Sequence, residues 1–64
     1  MGRIVKILMR RDGLTEEEAK KEVKDFMESI EDSIQNSDLE EIEDALMSWF
    51  GLEPDYVFDV INAA

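Results

Sequence analysis

Carboxylates are the groups with which this sequence could do chemistry, and it carries seventeen of them in 64 residues. Two acids flanking a cleft can hydrolyse a glycosidic bond. A domain this short leaves little room for such a cleft. Oxygen-rich loops also hold calcium, yet the pattern D-x-[DN]-x-[DN]-G is absent. There is no histidine, so the usual general base at neutral pH is missing. There is no cysteine either, which removes thiol nucleophiles, zinc–thiolate sites and disulfides. Ser29, Ser33, Ser37 and Ser48 therefore lack the partner that a catalytic triad requires. Gly2, Gly13 and Gly51 stand too far apart to build a phosphate-cradling loop. The expectation is a protein that is not an enzyme and that uses no metal and no cofactor.

What remains is charge, and its placement matters more than its sum of −10. Arg3, Lys6, Arg10, Arg11, Lys20, Lys21 and Lys24 are all the bases, and with five acids they give residues 1–24 a charge of +2. Residues 25–64 hold twelve acids and no base, a charge of −12. Such a half repels nucleic acid and anionic lipid and attracts basic surfaces. No apolar run approaches the roughly 20 residues of a membrane span. The N-terminal apolar patch is interrupted by Lys6, Arg10 and Arg11, unlike the core of a signal peptide. A cytoplasmic protein is expected.

The elements that must position these charges are helices. Residues 1–64 form one domain. The first helix is expected over about Arg3 to Arg11, ended by Asp12-Gly13. Thr15-Glu16-Glu17-Glu18 has the form of a capping box, and Ser37-Asp38-Leu39-Glu40 repeats it. The second helix is expected over Glu16–Gln35. Its stripe of Ala19, Val23, Phe26, Met27, Ile30 and Ile34 follows the i, i+3, i+4, i+7 rule. The third runs over Asp38–Phe50, with Leu39, Ile42, Ala45, Leu46, Trp49 and Phe50 on its apolar side and Gly51 as its stop. Leu52 can fold back on its last turn. Pro54 suits the first turn of a fourth helix reaching Asn62. Nothing alternates with period two, so no strand is expected. The fold class is all-α, a compact bundle of two long antiparallel helices with short N- and C-terminal helices.

The terminal helices carry wide apolar arcs, Ile4, Val5, Ile7, Leu8 and Met9 in one and Tyr56, Val57, Phe58, Val60 and Ile61 in the other. Either they wedge between neighbours, or another chain covers part of them. Val5, Met9, Tyr56 and Phe58 are the candidates for a self-association contact, as in a homodimer. Trp49 reads as part of a small aromatic core or as an interface hot spot. Arg10 and Arg11 could bind an anion, although pairing with the protein's own acids is the simpler expectation.

Asp25, Glu28, Glu31 and Asp32 fall opposite the apolar stripe of the second helix, and Glu40, Glu41, Glu43 and Asp44 opposite that of the third. Carboxylates four residues apart stand about 6 Å apart along a helix axis, of the same order as phosphate spacing along a strand. Antiparallel neighbours would present a double row of negative charge, which suits a basic nucleic-acid-binding channel. Charged outer faces also serve simply to solvate a helical domain. Yet like charges at i, i+4 cost a few tenths of a kcal/mol per pair, and retaining several suggests a use.

Arg11-Asp12-Gly13-Leu14-Thr15-Glu16-Glu17-Glu18-Ala19 and Gly51-Leu52-Glu53-Pro54-Asp55-Tyr56-Val57-Phe58-Asp59 resemble segments of small acidic proteins of bacteriophages and mobile elements. The resemblance spans nearly the whole chain and is one of pattern. It implies a phage-encoded inhibitor of host defence, of the anti-CRISPR or anti-restriction kind. The expected partner is then a basic, nucleic-acid-binding host protein, bound without direct contact to nucleic acid or membrane. A self-associating structural or regulatory module is the alternative.

Overall fold

The computed structural model describes residues 2–63, and every regular element among them is helical. Helix α1 spans Gly2–Arg11, α2 Glu16–Ser29, α3 Glu31–Gln35 and α4 Leu39–Phe50. A 3₁₀ turn, Pro54–Tyr56, then leads into α5, Val57–Ala63. The radius of gyration is 10.9 Å and the longest dimension 32 Å.

Local chemistry sets most of these boundaries. Thr15 caps α2 with a full capping box: its hydroxyl accepts from the Glu18 N–H at 3.2 Å, and the Glu18 carboxylate accepts from the Thr15 N–H at 3.0 Å. Gly13 and Gly51 both adopt φ of +68°, which a residue with a Cβ resists. At Gly51 the chain reverses, its N–H reaching the Met47 carbonyl at 2.9 Å and that of Leu52 reaching Leu46 at 3.3 Å. Leu52 is thereby folded back and buried, as expected.

The long helix expected over Glu16–Gln35 is interrupted at Ile30, which ends α2 and opens α3 with φ −113° and ψ 19°. The Ser29 hydroxyl donates to the Phe26 carbonyl at 2.8 Å, a back-bond of the kind that bends helices. The apolar spacing runs straight through the bend, so Ile30 stays in the core.

The second expected capping box also differs. Ser37 has φ +53° and sits outside the helix. Its N–H bonds the Ile34 carbonyl at 3.1 Å, and that of Asp38 bonds Ser33 at 2.9 Å. This is the paired closure of a left-handed helix stop, with serine where glycine is usual. The cap of α4 is Asp38, whose Oδ1 accepts from the Glu41 N–H at 3.2 Å. The single helix expected from Pro54 begins instead as the 3₁₀ turn, in which the Tyr56 N–H reaches the Glu53 carbonyl at 3.3 Å.

The core joins all the longer elements. Ile4 and Leu8 of α1, Ala19, Val23 and Phe26 of α2, Ile42, Leu46 and Phe50 of α4, and Val57 and Val60 of α5 are buried together. Phe26 lies at its aromatic centre, with ring centroids 5.0 Å from Phe50 and 5.8 Å from Trp49. Trp49 meets Phe26 edge-on. It is nonetheless 45% exposed, so it roofs the core rather than filling it. Both terminal helices wedge their inner sides into the bundle, which leaves Val5, Met9 and Ile61 half-buried, as is Tyr56 in the 3₁₀ turn. Phe58 stands clear of the core at 63% exposure.

Candidate protein-binding surfaces

Asp25, Glu28, Glu31, Asp32, Glu40, Glu41 and Asp44 are exposed, and Glu43 is half-buried. Among the described residues the ion pairs are Arg3–Asp59, Arg11–Asp12 and Lys20–Glu16, so none of these eight acids is matched by a base. Lys21 and Lys24 do precede Asp25 and Glu28 by four residues. Base-before-acid is the weaker order on a helix, whereas Glu16 before Lys20 is the favourable one and closes at 2.8 Å. That bond holds the Glu16 carboxyl below its ordinary value and the Lys20 ammonium above. Glu18 is likewise lowered, first by the Thr15 N–H and then by its hydroxyl.

The acids do not form one continuous double row. The bend at Ile30 puts Glu31 and Asp32 in the first turn of α3, separate from Asp25 and Glu28 on α2. On α4, Glu40, Glu41 and Asp44 point away from buried Ile42 and Leu46, while Glu43 lies on the flank between the two sides. Among the described residues no three acids converge to hold a metal ion. The negative charge is spread over three helices.

Two apolar grooves accompany this surface. The first, about 530 Å³, runs between α1 and α2 over Val5, Met9 and Val23, with Lys6, Lys20 and Glu16 at its edge. The second, about 430 Å³, crosses the bend over Met27 and Ile34, between Lys24, Glu28 and Glu31. The self-association candidates are thus divided. Val5 and Met9 line the first groove. Tyr56 is half-buried beneath the Arg3 guanidinium, 4.8 Å from its ring centroid, and Phe58 projects freely.

Sequence reasoning passed over Met47. It is 58% exposed and follows Glu40, Glu43 and Asp44 at i+7, i+4 and i+3. Leu39, expected on the apolar side of this helix, is 40% exposed at the first turn of α4. A helical projection of α4 alone places Met47 outside the apolar arc, so the signal was available. Comparison with known proteins finds no family model that matches this sequence, and no matching curated protein or solved structure.

Proposed function

We propose that this chain is a non-catalytic binding protein whose carboxylates occupy a basic, nucleic-acid-binding surface of another protein, in the manner of a DNA mimic. The observation that carries the reading is the set of seven exposed acids on α2, α3 and α4 without an ion-pair partner among the described residues. Spread over α2, α3 and α4, these acids offer a cationic channel repeated negative charge. On this reading the partner is a nucleic-acid-acting defence protein of a host cell, and the chain is a phage-encoded inhibitor acting in its cytoplasm.

The test is affinity capture from host extract on the immobilised chain, beside a Glu40→Lys/Glu41→Lys/Asp44→Lys variant. A basic protein retained by the native chain alone, released by duplex DNA and by rising salt, supports the proposal. A protein retained equally by both, or indifferent to DNA, refutes it.

The exposure of Phe58 favours a second reading, self-association through Val5, Met9, Tyr56 and Phe58. A solution mass that falls from dimer to monomer on Phe58→Glu supports it. A native monomer rejects it.

A further inference from the structure

We infer that the groove between α1 and α2 receives α4 of a second copy of this chain. The groove has an apolar floor of Val5, Met9 and Val23, and Lys6 stands at its rim in no ion pair among the described residues. Helix α1 carries four bases and no acid, so it is the cationic wall of the groove. Helix α4 has the complementary character, with four acids and no base.

The stripe that fits is Leu39, Glu43 and Met47, spaced i, i+4, i+8. Leu39 and Met47 are its exposed apolar groups, Trp49 being turned to the aromatic cluster on another side of α4, and Asp44 lies beside Glu43. Two helical turns separate them, about 12 Å. The groove follows α2 from Glu16 to Val23, about 11 Å at the same rise. Two apolar knobs with acid between them therefore match an apolar trough edged by Lys6 and by Lys20, the latter already paired with Glu16. The contact must be intermolecular, because Ile42, Leu46 and Phe50 anchor the other side of α4 in its own core. The surfaces that meet are different ones, so the arrangement is head-to-tail. It covers Glu43 and Asp44 and so competes with binding of an outside basic surface, but it does not rest on that reading.

Salt gives the contact a signature. Each copy carries −10. At ~0.01 M salt the Debye length is ~30 Å, enough for whole molecules to repel. At ~0.15 M it is ~8 Å, which hides the distant charges and leaves adjacent lysine–carboxylate pairs. At ~1 M those pairs are weakened too. Association is therefore strongest at intermediate salt, whereas simple attraction to a basic partner declines throughout.

The experiment is sedimentation equilibrium at the three salt concentrations and millimolar protein, with circular dichroism to verify folding. The expected result is self-association with that maximum, weakened at least about tenfold by Met47→Glu and by Lys6→Glu. Lys6 is exposed, so its replacement spares the core. Met9→Glu and Met47→Glu, each monomeric alone, are expected to form a one-to-one complex when mixed, since one keeps the groove and the other the knob. A native chain monomeric at every salt, an oligomer that survives Met47→Glu, or a mixture that stays monomeric overturns the inference. So does a monomer whose Val23 methyl resonances shift with laurate, because the groove then takes a small anionic amphiphile.

Discussion

The Asp59 carboxylate lies 3.4 Å from the Arg3 guanidinium, so an ion pair joins the first helix to the last. Its Oδ2 is buried and accepts no hydrogen bond, which makes the contact one of charge alone. Arg3→Ala strips the counter-charge from a largely covered carboxylate and removes the cation from the Tyr56 ring. The expected loss is about 1 kcal/mol, kept small because the Arg3 side chain is 66% exposed. Adding Asp59→Asn to Arg3→Ala is expected to recover part of it. Urea midpoints of the native chain, both single variants and the double variant measure the coupling.

Ser37 holds a left-handed conformation that costs a residue with a Cβ roughly 1 kcal/mol. Ser37→Gly is expected to recover about that amount, offset in part by the greater freedom of glycine when unfolded. A higher urea midpoint with an unchanged slope shows it. Ser37→Val is expected to destabilise, because β-branching worsens the same strain.

Acid and base limits of stability follow from the α2 N-terminus. Glu16 and Glu18 are lowered in the fold, so their contribution is complete above the ordinary glutamate value of 4.5 and is lost as pH falls through the lowered values. Lys20 is raised, so its contribution is complete below 10.5 and is lost as pH rises through its folded value. Glu18→Gln is expected to flatten the acid limb and leave the alkaline limb unchanged. Lys20→Met is expected to flatten the alkaline limb and, by freeing Glu16, the acid limb as well. Thermal melts across pH read both.

Glu40 and Asp44 are like charges four residues apart. Asp44→Lys converts that repulsion into a favourable pair in the better order, a gain of about 0.5 kcal/mol. The same change is expected to weaken capture of a basic partner at least about tenfold. A variant that folds better and binds worse separates a functional acid from a merely solvating one. Equal retention by both proteins on the capture column contradicts the role given to Asp44.

The amphipathic period and the glycine stops made much of the fold legible in advance. Ala19, Val23 and Phe26 share one face at helical spacing, and all three are buried. Thr15 with Glu18 announces its cap because that chemistry is local. The bend at Ile30 was hidden, since the apolar phase continues to Ile34 and the local feature that accompanies it is a single hydroxyl turned onto the Phe26 carbonyl. Ser37 and Asp38 both look like caps, and the choice between them depends on how α3 closes behind them. The eight candidate acids were visible by type, but their division between helices depended on that bend. The exposure of Trp49 is tertiary information, set by which side of the aromatic cluster lacks a covering element.

Asp38 serves two helices at once. Its N–H closes α3 on the Ser33 carbonyl, its side chain caps α4, and its carbonyl accepts from Ile42 at 3.0 Å. These bonds tie α3 to α4 at this corner, between Glu31 and Asp32 on one side and Glu40 and Glu41 on the other. On the proposed reading, the entropy of arranging them is lost when the chain folds, before a basic partner arrives. Lengthening the corner would leave every carboxylate in place by composition, and on that reading it is expected to cost affinity through slack.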